Sequence, residues 1–465
     1  MEETWGAGQS AVTGNTDLTG VEAVAITVKT GAGDDTFTTA ATAAMTVDAG
    51  AGDDTVTFGS AVAKGSTVDL GAGDDTLLTS SGSVATDDAT SVTNAKITLV
   101  DGGSGTDTLA ASFITAGNAD QFANFEILGL DKTSGSLDSA LISGITGLEL
   151  LAGGGTYTNL ELSDNVTVAT TGMSGTTTLT FATAEVSGAS DSYTITFSEQ
   201  NAAERTAEPT GGANVAAGTV VTAGVENINI VSGGVFTHND ITLGANDDAE
   251  TVTITGAQNL DIAFASGFGS TSSPATGVSL IDGSGATGDL AVVLTNVVDT
   301  TTGLVVKTGS GDDVITTAAH VTTITTGTGA DTIHVGANTP TMTATATAAE
   351  VISEMVTITD FDAANDTIDF TTATLALATA DVVAVDVTAA TRLFAAVGIA
   401  TTGNGNTSTD SAVAHFEYSG DTYLLFDEGT VTSSDMDTGD VLVQLTGTGY
   451  VFDDAALTTA GVFTL

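Results

Sequence analysis

The stretch TGAGDDTFT, residues 30–38, returns as AGAGDDTVT at 49–57 and as LGAGDDTLL at 70–78. Each copy places two glycines before a pair of aspartates, and a short alternating word follows. The opening glycines Gly31, Gly50 and Gly71 stand 19 and 21 residues apart. Strand words with period-two alternation run into each copy: AVAITV (23–28), MTVDAG (45–50) and STVDLG (66–71). A unit of about twenty residues, built from a strand, a turn and a second strand, cannot bury its apolar face alone, so successive units must stack. The stretch therefore predicts an all-β fold: right-handed parallel β-roll or β-helix solenoid segments, with each motif forming a corner of one coil.

Working outward, a fourth copy, GGSGTDTLA, occupies 102–110 after an insertion. From 116 to 300 the motif fades while strand words continue as NINIV (227–231), TVTITG (251–256), LDIAFA (260–265) and DLAVVL (289–294). GANDDAET (244–251) and DGSGATGD (282–289) look like decayed copies, and SEQNAAERTAEPTGGAN (198–214) is the most linker-like piece. The motif returns as TGSGDDVIT (308–316) and TGTGADTIH (326–334), now 18 residues apart. Beyond it, 346–355 and 389–397 are the best helix candidates, while ITDFDAANDTIDF (358–370) and HFEYSGDTYLLFD (415–427) read as strands. Four regions are expected: a β-roll at 1–115, a β-solenoid or sandwich at 116–300, a second β-roll at 301–340, and a separate, mostly-β carboxy-terminal domain at 341–465.

Charge narrows the function. The 465 residues carry 58 acidic against seven basic side chains, a formal net charge of −51. Such a surface repels nucleic acid and anionic lipid, both of which need Lys/Arg patches. It also repels itself unless counterions bind. With 41% apolar residues and a mean hydropathy of +0.27, the chain is too apolar for an acidic disordered protein. There is no cysteine, so neither a disulfide nor a thiolate metal site can form. MEETWGAGQS shows no leader pattern, and no apolar run approaches the ~18 residues needed to span a membrane. Either a cytosolic location or an export route independent of the amino terminus is expected.

The motif's residue types specify a cation. Glycine at two fixed positions allows a tight turn with positive φ that turns carbonyl oxygens inward. These pairs are Gly31 and Gly33, Gly50 and Gly52, Gly71 and Gly73, Gly103 and Gly105, Gly309 and Gly311, and Gly327 and Gly329. The aspartate two residues after the second glycine supplies a hard anionic oxygen: Asp35, Asp54, Asp75, Asp107, Asp313 and Asp331. Asp366, in the strand word at 358–370, is a further candidate ligand. Two residues on, Phe37, Val56, Leu77, Leu109, Ile315 and Ile333 anchor the following strand in the core. Asp34, Asp53, Asp74 and Asp312 precede the main ligands and are weaker candidates, as are Asp48, Asp69 and Asp101 just before the motif. One Gly-Asp loop would be an ordinary tight turn. Six phased copies in so acidic a chain point to Ca2+, which takes six to eight oxygens in flexible geometry, where magnesium demands a tighter octahedron. Loops on adjacent coils would then hold an ion between them.

Nothing comparable points to catalysis. The four histidines, His238, His320, His334 and His415, are isolated from one another in the sequence, and no H-E-x-x-H or G-x-S-x-G occurs. The glycine loops lack the Lys-Ser/Thr of a phosphate loop. Threonine words such as VTTITTG (321–327) reflect β propensity rather than a hydroxyl array. No enzyme activity is expected.

Written as G-G-x-G-x-D-x-U-x, with U a large apolar residue, the loops resemble those of the RTX (repeats-in-toxin) family, calcium-binding secreted proteins of Gram-negative bacteria. ITDFDAANDTIDF, FEYSGDTYLLFD and GDVLVQLTG (439–447) resemble closing segments of type I-secreted members. The alternation of GVENINIV, TVTITGAQNLDIAF and VVKTGSGDDVIT is most similar to the family's surface-layer (S-layer) proteins. That resemblance implies export by an uncleaved carboxy-terminal type I secretion signal, folding on external calcium, and a place at the bacterial cell surface. Here the loops come once per coil rather than every nine residues, so the ions are expected along one edge. The expected function is a structural protein that self-assembles into a surface layer or filament, its partners being further copies of itself, with a cell-surface polysaccharide as a candidate anchor. A monomeric calcium-dependent adhesin or matrix-binding module, or the carboxy-terminal part of a larger exported enzyme, are the alternatives.

Overall fold

The computed structural model describes residues 2–4, 13–14, 26–39, 44–59, 61–63, 65–79, 99–169, 173–198, 215–234, 238–269, 277–298, 303–317, 322–336, 341–344, 350–353, 355–370, 382–403, 412–427, 436, 440–450, 457–459 and 462–464. The chain forms two compact units: Met1–Gly224 with Gly234–Thr237, and Val225–Gly233 with His238–Leu465. Their boundary falls inside the region expected at 116–300. Most of the linker-like stretch lies outside the described residues.

In the first unit the alternating words stack as parallel ladders, as the twenty-residue period requires. One ladder runs Glu2–Thr4, Ile26–Ala32, Met45–Ala51, Thr67–Asp69, Leu99–Asp101, Phe122–Ala123. A second runs Thr13–Gly14, Thr36–Thr39, Thr55–Phe58, Thr76–Thr79, Thr108–Ala110, Ile127–Leu130, Gly147–Leu150, Val166–Val168, Ser192–Phe197. A third begins at Ser136–Asp138 and continues through Thr156–Leu160, Thr176–Phe181 and Val215–Ala223. Because coils stack in register, equivalent side chains form columns. Val28, Val47, Val68 and Val100 make one buried column, and Phe37, Val56, Leu77, Leu109, Leu128 and Leu148 make another. Each buried aliphatic chain contributes about 1.5–3 kcal/mol, which lets a thin core of small side chains hold the stack. Aromatic rings add bulk within and beyond the motif-bearing coils: Phe58 meets Phe113 edge to face at 6.1 Å, and Phe181 meets Tyr193 at 4.8 Å.

The second unit repeats the plan. Asn227–Ser232, Thr251–Gly256, Leu280–Ala286, Leu304–Lys307, Thr322–Thr325 and Val356–Ile358 form one parallel ladder. His238–Leu243, Asn259–Phe264, Leu290–Val293, Val314–Thr316, Thr332–His334 and Thr367–Asp369 form the other. The carboxy-terminal region grows from the last coil: Val441–Leu445 pairs in parallel with Val356–Ile358 and antiparallel with Asp421–Asp427, which pairs antiparallel with Ala412–Tyr418. The helix Leu393–Gly403 covers this sheet, burying Ala396, Val397 and Ala400 against Phe416, Tyr423 and Leu442.

Both ladder-rich units make the protein an all-β parallel solenoid. The helix expected at 389–397 is present four residues later at its start. Of that expected at 346–355, residues 346–349 and 354 lie outside the described residues, and Glu350–Ser353 is not helix but a strand, paired antiparallel with Thr341–Ala344. Val351 and Ile352 are adjacent β-branched residues, and a partner strand outweighed the helix preference of the alanines before them. Among the described residues no helix is long and apolar enough to cross a membrane.

Candidate metal centre

Each GxGDD corner turns the chain from the first ladder to the second. Gly50, Gly52, Gly71 and Gly73 take φ of +108°, +125°, +107° and +139°, a region open to glycine. Space between coils adds a second demand, since a Cβ on Gly105 would lie 1.9 Å from the Gly73 carbonyl oxygen. In the fifth copy Gly309 and Gly311 lie outside the left-handed region, and crowding alone requires glycine there: a Cβ on Gly309 would sit 2.1 Å from the Ala286 oxygen. The corners are themselves laddered. Ala72 N–H donates to the Gly50 carbonyl at 3.0 Å, and Gly52 N–H donates to the Ala72 carbonyl at 2.8 Å. Ser104 with Gly71, and Thr328 with Gly309, repeat the first of these bonds. First-glycine carbonyls therefore already accept one hydrogen bond from the neighbouring coil.

The paired aspartates have separate tasks. The second of each pair is buried, with Asp54 and Asp75 at 1% exposure each, and so is the matching Asp107, which follows Thr106, at 0%. Asp35 N–H donates to Asp54 Oδ1 (2.8 Å), Asp54 N–H to Asp75 Oδ1 (2.7 Å), and Asp75 N–H to Asp107 Oδ1 (2.8 Å). The first of each pair forms an outer ladder of opposite sense. Asp53 N–H donates back to Asp34 Oδ1 (3.0 Å), Asp74 N–H to Asp53 Oδ1 (2.8 Å), and Thr106 N–H to Asp74 Oδ1 (2.8 Å). One dipeptide thus fastens its coil to both neighbours. The second unit repeats this: Asp313 N–H donates to Asp331 Oδ1 (2.9 Å), and Ala330 N–H to Asp312 Oδ1 (2.9 Å).

The inner column leaves carboxylate oxygens over. Among the described residues, Oδ2 of Asp54, Asp75, Asp107, Asp313 and Asp331 is buried without a hydrogen-bond partner. Burying a carboxylate with one oxygen left without a donor favours a proton or a cation there. Burial, reinforced by the stacked carboxylates, pushes Asp54 and Asp75 up to about 7. Burial likewise pushes Asp107, Asp313 and Asp331 up to about 6. Hard anionic oxygens in a column, each one coil from the next, fit a hard divalent cation.

Comparison with protein-family models finds no match, and comparison with curated proteins finds none.

The columns end on residues that the motif pattern does not mark. Asp107 N–H donates to Glu126 Oε2 at 3.0 Å, so a glutamate closes the first inner column. In the second unit Asp331 N–H donates to Asp366 Oδ1 (3.1 Å) and Asp362 N–H to Asp366 Oδ2 (2.7 Å). Asp366 therefore joins the column with both oxygens engaged, unlike the motif aspartates. Asp360 receives Thr326 N–H (2.9 Å) and Gly327 N–H (2.8 Å) on its two oxygens. At the other end Leu290 takes the inner place, donating its N–H to Asp313 Oδ1 at 2.7 Å. Asp289 takes the outer place and accepts from Asp312 N–H at 2.9 Å. The decayed copy at 282–289 thus supplies the outer ladder but no inner carboxylate. In the other decayed copy Asn246 is buried and donates to the Val225 carbonyl at 2.8 Å, while Asp247 and Asp248 are exposed.

Asp48, Asp69 and Asp101 lie side by side across their ladder, apart from the inner column. Lys29 Nζ meets Asp48 at one end, and Asn124 Nδ2 donates to Asp101 Oδ1 (2.7 Å) at the other.

Proposed function

We propose that this chain is a structural, calcium-binding extracellular protein that self-assembles into a bacterial surface layer or filament. The observation that carries the reading is the column of buried carboxylates, in which Asp54, Asp75 and Asp107 each hold a neighbouring amide with one oxygen and keep the other buried without a hydrogen-bond partner. In a chain of net charge −51, such columns favour folding only once cations or protons arrive. Asp35, Asp54, Asp75 and Asp107 in one unit, and Asp313 and Asp331 in the other, would hold Ca2+, with oxygens of the glycine corners completing its shell. The bound ion would supply positive charge between coils, so that its binding free energy becomes folding free energy. Calcium at contacts between copies, together with unpaired ladder edges, would join copies into an array. The RTX-like export route and the cell-surface location belong to the same proposal.

The test is electron microscopy of the purified chain in calcium and in chelator, with calcium stoichiometry measured in parallel. Ordered sheets or filaments that dissolve in chelator are expected. Particles that stay dispersed while binding calcium would overturn assembly and leave the calcium-folded monomer, such as an adhesin. Absence of calcium binding would overturn the site itself.

A further inference from the structure

We propose that His238, Asp240 and Asp261 form a binding site for a first-row transition-metal dication, with zinc as the reference ion. The three side chains are brought together by the coil. His238 and Asp240 stand two apart on the strand His238–Leu243 and so share a face, and Asp240 is directly opposite Asp261 on Asn259–Phe264. His238 Nε2 lies 2.9 Å from Asp261 Oδ2 and 3.6 Å from Asp240 Oδ1. Donors bound ~2.1 Å from one ion are separated by about 3.0 Å at an octahedral and about 3.4 Å at a tetrahedral centre. Both nitrogen-to-oxygen spacings fall near these values, and the three donor atoms lie within 4.8 Å of one another, close enough to converge on one ion.

The supporting strands are fixed from below. Asn239, Ile241 and Leu243 on one strand, and Leu260, Ile262 and Phe264 on the other, are buried and hold the ligand-bearing positions outward. Ligands on rigid strands keep their geometry better than ligands on loops. Two carboxylates directly opposite each other repel, and a cation between them would relieve that repulsion. The imidazole nitrogen decides which cation. Calcium prefers oxygen donors throughout, whereas a mixed nitrogen and carboxylate set suits zinc, cobalt, nickel or copper. All three side chains are partly exposed, at 30%, 34% and 49%, so an ion can enter from solvent. Three protein ligands leave positions for water or a further donor. This site lies on strand faces, not at a glycine corner, and does not depend on the calcium reading.

The experiment uses the full chain in excess calcium, with Co2+ as a visible probe and Zn2+ as competitor. One equivalent of cobalt should give visible absorption bands that one equivalent of zinc abolishes. His238→Asn and Asp261→Asn should each weaken zinc binding by at least about tenfold. Asp247→Asn, an exposed acid outside the cluster, should leave it unchanged, with circular dichroism verifying the fold of every variant. Equal zinc affinity in the parent and His238→Asn, or cobalt held without visible bands, would overturn the site. So would the same loss in Asp247→Asn as in the cluster variants, since it would mark diffuse binding to surface acids.

Discussion

Asp74 and Asp75 are neighbours with opposite surroundings, and their substitutions should separate. Asp75→Ala removes the acceptor of Asp54 N–H in a buried place, which costs about 1–3 kcal/mol. Asp74→Ala removes the acceptor of Thr106 N–H at the surface, where water replaces it, and should cost clearly less. Urea unfolding of the two variants in calcium checks the order. Asp75→Asn keeps an acceptor and removes the charge. It should therefore stabilise the metal-free protein near pH 8 while reducing the extra stability that calcium confers. The pH dependence follows from the same carboxyls. In the metal-free fold Asp54 and Asp75 are pushed from 3.8 up to about 7, so between those values the folded state binds more protons than the unfolded one. Their contribution is fully present below about pH 3.8 and is lost as pH rises through 7. Melting temperature in chelator should accordingly fall from pH 4 to pH 8, and calcium should flatten the decline. Calcium added near pH 6.5 should release protons, measurable in unbuffered solution.

At the scale of the coil, glycine substitutions should divide according to what lies beyond the Cα. Gly65 and Gly73 both take positive φ, and alanine at either costs about 1–2 kcal/mol in backbone strain. A Cβ on Gly65 meets nothing within 4 Å, whereas one on Gly73 falls 2.1 Å from the Gly52 oxygen. Gly73→Ala must therefore push two coils apart and should be much the more damaging, as thermal unfolding of both variants would show. The strands and corners were legible because a coil has to alternate along each strand and turn where glycine permits. Val47 and Val56 advertise the core by period alone. Glu126, Asp289 and Asp360 were not legible, because their roles come from which coil lies next to them, and no local pattern sets a closing residue apart from any other acid. The cluster at His238 was hidden for a related reason: Asp261 reaches it from the following coil. The strand at Glu350–Ser353 was misread because its partner strand, not its own composition, decides it.

For the whole molecule the net charge of −51 adds a large electrostatic repulsion to the conformational entropy that opposes folding. Chelation should diminish the β signal in circular dichroism, and monovalent salt should restore part of it by screening alone. Calcium should achieve more at far lower concentration, because the inner carboxylates are buried and screened poorly by mobile ions.

The in-register corners make the coil interchangeable. Gly50 stands to Gly31 as Gly71 stands to Gly50, and Ala51 pairs with Ala72 as equivalents. Removing residues 51–71 would join Gly50 to Ala72, bring Asp75 to the place of Asp54 beneath Asp35, and preserve both hydrogen-bond ladders. Coil number is thus a variable that can change by one while the corner chemistry stays the same, so that length and design are separate properties of this chain.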